Sequence, residues 1–581
     1  MKNLKSSEFK DYCRDLRFRV KHSIALAIKS LIPHLSYSYW IKHREQRASG
    51  PGKIAQGIAS FQYTPKVSVL MPVYNTAHDL LDLAIRSVQM QHYENWELCI
   101  CDDGSTDRSV RTRLASWQQK DHRIKVTSST KNEGISVASN RALELASGEF
   151  VGFLDHDDEL SADALYEVVK LLQEHPDSDM IYSDEDKLDP HGRRVTPHFK
   201  PDWSPEFMLS FMYTCHFSVY RRSLLEEIGG FRLGFEGGQD YDLVLRIIEK
   251  TDRIFHIPRI LYHWRMAPGS VASSGESKPY AYDSTKKALT EHLRRRQIPG
   301  EIVHGQSRGW YRVRFRLEGT DKVSIVILNV GGPDALIVCV RAIKEKISYD
   351  NYELVIVGDR DLSAHTKNYL ASQSCRLIAS DKASSVSHLL NTGAARALGQ
   401  YLLFVHADTE VIAADWVSSM LGFCRMEEIG VVGAKLLYRT GRIQHIGIVL
   451  GLKGVTGYPL RGRHGHTQGY LDVSQFIRNC SAVSGACMMV RKNVFEQVGG
   501  FAEDLTETCN DIDFCLRVRE AGYRIVWTPE AELYHDGPMA SDQLEGMQAE
   551  NFKRRWAKIL ENDPYYNPNL TIEYEDLGYR V

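Results

Sequence analysis

Asp155 and Asp157 follow the apolar run Phe150–Leu154. At the end of a buried strand, a turn can aim both carboxylates at one cation. Hard oxygen ligands with few neighbours suit Mg²⁺ or Mn²⁺ that keeps positions open for substrate phosphates. His263, far downstream, can add an imidazole and tilt the preference toward Mn²⁺. A solvated acidic turn is the plain alternative for any isolated Asp-x-Asp. Asp102-Asp103-Gly104-Ser105 ends another apolar run. It reads either as a turn capping the next helix or as a carboxylate that accepts an N–H from a base, with Tyr74 offering a stacking face. Asp240 lies in Gly237-Gly238-Gln239-Asp240-Tyr241-Asp242, entering a helix with Leu243, Val244 and Ile247 inward. It is either a first-turn acid complementing the helix dipole or a general base for an acceptor hydroxyl. The flanking glycines would let an acceptor approach.

Elements to position these groups are legible around them. Val67–Met71, Glu97–Cys101 and Phe150–Leu154 read as buried strands. Thr76 with Asp79 reads as a capping box for a helix with Leu80, Leu81, Ala84, Ile85 and Val88 inward. A second helix is centred on Ala138–Ala146. Strand–helix–strand alternation predicts an α/β fold with a parallel, doubly wound sheet, whose ligands sit beyond the carboxyl ends of the strands.

The 581 residues carry 72 Lys+Arg against 74 Asp+Glu, a formal charge of −2 that argues against a nucleic-acid partner. That length requires more than one core. Eleven cysteines without a CxxC pair do not make a disulfide framework, and no apolar run spans a bilayer or reads as a signal peptide. A reducing, cytoplasmic setting is therefore expected. Self-similarity organises the chain: Lys66-Val67-Ser68-Val69-Leu70 recurs as Lys322-Val323-Ser324-Ile325-Val326, Ile228-Gly229-Gly230-Phe231 as Val498-Gly499-Gly500-Phe501, and Leu261-Tyr262-His263 as Leu533-Tyr534-His535. Preserved order with a drifting offset is a domain duplication rather than a solenoid. The expected division is an arm (1–64), a first domain (65–275), a linker (276–320), a second, diverged domain (321–540) and a tail (541–581).

The series Pro72-Val73-Tyr74-Asn75, Cys101 through Asp107, Asn132-Glu133-Gly134, Leu154 through Asp158, Gly229-Gly230-Phe231, Gln239 through Asp242 and Tyr262-His263 resembles a family 2 glycosyltransferase of the GT-A fold. Tyr182 through Lys187 and His198 through Trp203 resemble the tandem-domain branch that builds bacterial surface polysaccharides, O-antigens included. The resemblance implies two GT-A domains in tandem and inverting transfer of a sugar from a nucleotide-sugar donor to a glycan or lipid-linked glycan. By that resemblance Asp103 would contact the nucleotide base, and Pro72, Tyr74 and Asn132 would line its pocket. Asp155 and Asp157 would hold a divalent cation on the diphosphate, with His263 as an additional ligand or a diphosphate contact, and Asp240 would be the catalytic base.

In the second copy the opening is Ile327-Leu328-Asn329-Val330-Gly331, and Asp359 falls on Asp103. The metal motif becomes His406-Ala407-Asp408, with His535 as late histidine and Asp511 at the base position. This copy is either a second transferase site or an acceptor-binding or dimerisation module. A sugar nucleotidyltransferase would need a glycine-rich basic loop after the first strand, which Met71–Thr76 lacks. A glycan-binding protein could lose the acids that the first copy keeps. Residues 1–47 hold eleven Lys/Arg against four acids, and Leu16, Val20, Ile24, Ile28 and Leu31 form one helical stripe. That arm is either docked on the first domain or a peripheral membrane anchor.

Overall fold

In the computed structural model, which describes residues 33–45, 50–266, 279–317, 321–329, 332–359, 362–380, 385–467, 472–505, 509–538 and 546–580, the repeat becomes two sheets of matching strand order. The first contains β1 (Val67–Val73), β2 (Trp96–Asp102), β3 (Ile124–Ser128), β4 (Phe150–Phe153), β5 (Glu159–Leu160), β6 (Met180–Leu188), β7 (Arg194–His198), β8 (Ser218–Arg221) and β9 (Ile254–Arg265). Their order is 3-2-1-4-8-6-9-5, with β7 on the side of β6. Central β1 is covered on both faces, which is why Val67, Val69, Leu70 and Met71 are consecutive apolar choices rather than alternating ones.

Only part of this sheet is parallel, where an all-parallel one was expected. Strands β3, β2, β1 and β4 run together, but β8 is antiparallel to both β4 and β6. Between β6 and β8 the chain makes a hairpin with β7 and then an irregular stretch holding one short 3-10 turn, with no crossover helix. It therefore re-enters in the opposite direction. The capping box also fails. Helix His78–Gln89 starts from Ala77 with no side-chain cap, and the buried Thr76 hydroxyl makes no hydrogen bond. Asn75, in a left-handed conformation, instead accepts the Thr106 N–H at 2.9 Å, so this turn is tied to the neighbouring strand end. The inward residues Leu81, Ala84, Ile85 and Val88 are buried as expected.

Where a linker was expected, helix Pro279–Arg295 is followed by a hairpin of β10 (Gly300–His304) and β11 (Tyr311–Phe315). Ala288, Leu289, Ile302, Tyr311 and Val313 belong to an apolar cluster shared with both domains. The second sheet contains β12 (Val323–Leu328), β13 (Tyr352–Asp359), β14 (Arg376–Ser380), β15 (Tyr401–His406), β16 (Thr409–Val411), β17 (Ile429–Leu437), β18 (Ile443–His445), β21 (Arg478–Asn479), β22 (Cys487–Arg491) and β23 (Arg524–His535). Between β18 and β21, β19 (Val449–Leu450) pairs with β20 (Thr456–Gly457) in a separate ribbon. The order 14-13-12-15-22-17-23-16 repeats the first sheet position for position.

A polar seam fixes one domain to the other. Ser204 donates to Asn479 Oδ1 at 2.8 Å, Asn479 donates to Glu206 at 2.6 Å, and Arg524 reaches Glu206 at 2.8 Å. Phe476 of the second domain stacks on Phe211 of the first, with ring centroids 5.4 Å apart. The tail adds helix Gly546–Glu561 and an extended stretch that crosses back, where Asn567 donates to Asp184 and to the Lys200 carbonyl. The apolar stripe Leu16 through Leu31 lies outside the described residues. Helix Pro33–Trp40 docks on the first domain through Tyr37 and Trp40, both nearly fully buried. Among the described residues no helix is long and apolar enough to cross a membrane.

The seam makes a measurable prediction. Arg524→Ala strands the Glu206 carboxylate in a buried position, and the expected cost is about 3 kcal/mol, the low end for breaking a buried pair because Arg524 keeps some solvent contact. Differential scanning calorimetry is expected to show a midpoint lowered by several degrees; an unchanged midpoint would mean that the seam adds no stability.

Candidate active site

The register of β1 with β2 and β4 brings three strand ends to one edge: Val73 pairs with Asp102, and Leu70 with Phe153. Pro72 sits within β1, half-buried, and Tyr74 projects beyond it, 40% exposed. Asp103 is nearly fully buried, and its two oxygens accept the N–H groups of Glu133 at 3.0 Å and Gly134 at 2.8 Å. It thus braces the turn carrying the exposed Asn132. Gly104, at φ +69°, is needed here because a Cβ would lie 2.3 Å from the Lys131 backbone.

Past β4 the chain turns through Asp155, Asp157 and Asp158. Asp158 is consumed internally: it accepts from the Tyr262 hydroxyl at 2.6 Å and the Arg265 N–H at 2.7 Å. Burial, then Asp155 and Asp157, push its carboxyl well above the usual range. Burial first, with a contribution from Asp155, also raises Asp157 against the opposing pull of His156. Asp240 lies in the first turn of helix Gln239–Ile247, where burial raises its pKa and Asp155 adds to the rise while His216 opposes it. Asp155 is therefore within electrostatic reach of both Asp157 and Asp240. Gly237 and Gly238 serve packing rather than approach, since a Cβ on either would lie 2.7 Å from Ala281 or Thr285 of helix Pro279–Arg295.

His263 ends up on β9 with Nδ1 donating to Asp186 Oδ1 at 2.6 Å. Asp186 is fully buried, and its other oxygen accepts from Tyr37 at 2.6 Å and Arg194 at 2.5 Å. A carboxylate behind one ring nitrogen leaves Nε2 as the ligand atom, the usual backing of a metal-bound histidine. Asp155, Asp157 and His263 nevertheless do not form a tight triad. Among the described residues only His406, Asp408 and His535 place their ligand atoms within 4.8 Å of one another. Sequence reading did not single out His216, whose ring stacks on Tyr262 at 4.5 Å and whose charge acts on Asp240. Nor did it assign a role to Asp186, although the Tyr182–Lys187 motif contains it.

In the second copy, His406 ends β15, and Asp408 precedes Thr409, which pairs with His535 across β16 and β23. Gln444 donates its amide N–H to the Gly537 carbonyl at 2.9 Å, which turns its oxygen toward His535 Nδ1 at 2.7 Å. This network assigns the proton to Nδ1. His535 Nε2 then faces Asp408 Oδ1 at 3.4 Å, and both atoms are buried without a hydrogen bond. A lone pair facing a carboxylate fits a cation between them. Burial, and then His535, hold His406 down to about 4, so it is neutral at pH 7. Asp511 accepts the N–H groups of Gly485 and Ile512, each at 2.8 Å, and burial raises its pKa. Asp359 closes β13; its side chain lies outside the described residues.

The model of the family described as "Glycosyl transferase family 2" matches residues 68–229 and 323–499. The chain is 40% identical over 557 residues to "Uncharacterized protein y4gI" of Sinorhizobium fredii, covering 92% of this chain and 61% of that one. It is 33% identical over 556 residues to "O-antigen biosynthesis protein RfbC" of Myxococcus xanthus, covering 94% and 43%. The chain thus spans less than two thirds of either relative. Among solved structures, Staphylococcus aureus TarS 1–349 with UDP-GlcNAc matches at TM-score 0.32 and 23% identity, over 40% of this chain and 72% of that one. Mannosyltransferase PcManGT from Pyrobaculum calidifontis, in complex with GDP-Man and Mn²⁺, matches at TM-score 0.32 and 19% identity, over 48% and 76%. With the family's module matched once on each sheet, the chain belongs to glycosyl transferase family 2 and carries its module twice in tandem.

Proposed function

We propose that the chain transfers a sugar, with inversion, from a nucleotide-sugar donor to a growing polysaccharide or lipid-linked glycan, as the name of the O-antigen relative suggests. The observation that supports this reading is that Asp155, past a strand end of a family 2 module, acts electrostatically on both Asp157 and Asp240. Pro72, Tyr74, Asp103 and Asn132 form the nucleotide pocket: Tyr74 stacks on the base, and Asp103 holds the Asn132 turn in place. Asp155 and Asp157, with His263 Nε2, would hold a divalent cation, Mn²⁺ or Mg²⁺. When bound, that cation offsets the charge that develops on the nucleoside diphosphate as it leaves.

Asp240 takes the proton from the acceptor hydroxyl. The acceptor oxygen bonds to the anomeric carbon as the bond to the diphosphate breaks, its electron pair departing with the nucleoside diphosphate. Burial suits Asp240 to this task, because a carboxylate with a raised pKa is a stronger base. In the second copy Asp511 is the matching base and Asp359 the matching nucleotide contact. His406, Asp408 and His535 form the cation site there, supported by the two unpartnered atoms. The excess of Lys and Arg in residues 1–47 supports peripheral contact with an anionic membrane on the cytoplasmic face.

Three outcomes are expected. In a panel of UDP-, GDP- and dTDP-sugars, at least one is turned over; Asp240→Asn lowers that turnover by about 10²–10⁴-fold, and full activity of Asp240→Asn would overturn the assigned base. The wild-type rate falls on the acid side as Asp240 gains its proton, with an inflection above the ordinary carboxylate range; an inflection at or below that range in the pH–rate profile would contradict the buried base. Mn²⁺ at a hundredfold excess over its Kd stabilises the chain by about 2.7 kcal/mol per site. Part of the resulting shift in thermal midpoint disappears in His535→Ala; an identical shift in that variant would remove the second cation site.

A further inference from the structure

The β10–β11 hairpin and the second domain enclose a polar groove whose lining includes none of the strand-end acids or histidines. A cavity of about 250 Å³ and a groove of about 570 Å³ share Gln306, Trp310, His466 and Gln475, so the two adjoin. Glu532 lines the inner part three positions before His535 on β23, and therefore on the opposite face of that strand.

The chemistry of the lining selects among occupants. Trp310 is held by the Phe476 ring edge at 4.8 Å and 74°, which fixes its plane before any ligand arrives. A fixed indole offers an apolar face to the C–H groups of a pyranose at little cost in side-chain entropy. Around it stand Arg312, paired with Glu530 at 2.7 Å, and Lys435, paired with Glu532 at 3.1 Å. Arg312 keeps a second N–H, at Nε, buried without an acceptor among the described residues. Asp415 adds a third carboxylate against two cations. That balance repels a nucleoside diphosphate, which the groove would meet with three acids. Carboxylate oxygens and two glutamine amides do match vicinal hydroxyls, each of which both donates and accepts.

We propose that this groove binds a neutral oligosaccharide stretch, a second saccharide site apart from both transfer centres. The hairpin that carries Trp310 is anchored to the first domain by the Tyr311 N–H on the Ser210 carbonyl at 3.0 Å, beside the Met208 carbonyl that accepts from Tyr241. A glycan held there is fixed relative to both domains at once. The choice of a saccharide as occupant rests on the glycan transfer proposed above; the groove itself does not.

Saturation-transfer NMR on the full chain tests this with neutral gluco-, manno-, galacto- and rhamno-hexasaccharides as probes and UDP as a control. At least one hexasaccharide is expected to bind, and Trp310→Ala to weaken it by about tenfold or more, the scale of losing one buried aromatic contact. Glu530→Gln, which keeps the side-chain volume, is expected to weaken it in the same direction, so the test survives if Trp310→Ala does not fold. UDP binding should stay within about twofold in both variants, because distant sites act independently. Saturation of no hexasaccharide, or equal saturation in wild type and both variants, would overturn the proposal. Saccharide binding through Trp310 in a chain that turns over no nucleotide-sugar would sink the transferase reading and leave the groove standing.

Discussion

Crowding of like charge at one strand-end edge is the constraint on which the rest of the first domain depends. Burial raises the proton affinity of Asp157, Asp158 and Asp240 by withdrawing the water that would screen them, and the Asp155 charge adds to each rise. Asp158 shows how the fold copes. It surrenders its carboxylate to Tyr262 and Arg265, and so ties the turn after β4 to β9. With that brace made, Asp155 and Asp157 stay half-buried at the rim, where a counter-cation can reach them. A tightly wound turn of this kind would otherwise open under its own repulsion.

The two copies solve the same problem with different atoms. Behind His263 stands the Asp186 carboxylate, itself held by Tyr37 and Arg194. Behind His535 stands the Gln444 amide, locked by Gly537. The first arrangement draws on residues 33–45, because Tyr37 and Glu45 both reach the Asp186–Arg194 pair. The second is local to its own domain. One histidine therefore depends on segments remote in sequence, and the other does not.

Rigid attachment between the domains has a similar logic. The Glu206–Arg524–Asn479 seam and the Phe211–Phe476 stack both cross the junction, so paired charge and apolar surface reinforce each other there. Helix Pro279–Arg295 and the β10–β11 hairpin fill the remaining gap. They also explain Gly237 and Gly238, which are small because helix Pro279–Arg295 packs against them.

Periodicity and repetition in the sequence were enough to define the duplicated α/β plan, the buried β1 and the strand-end location of Asp103, Asp155 and Asp157. These follow from local chemistry: short apolar β-branched runs bounded by turn residues favour buried strands, and a matching order of motifs implies a matching order of elements. Direction and pairing needed the tertiary structure. The antiparallel entry of β8, the uncapped helix after Thr76 and the ordered hairpin in place of a linker all depend on partners distant in the chain. The same holds for His216 beside Asp240, for Asp186 behind His263 and for the closer set formed by His406, Asp408 and His535. A side chain's local spacing decides which element carries it; its neighbours, and hence its charge and proton, are decided only when elements far apart in sequence close on one another.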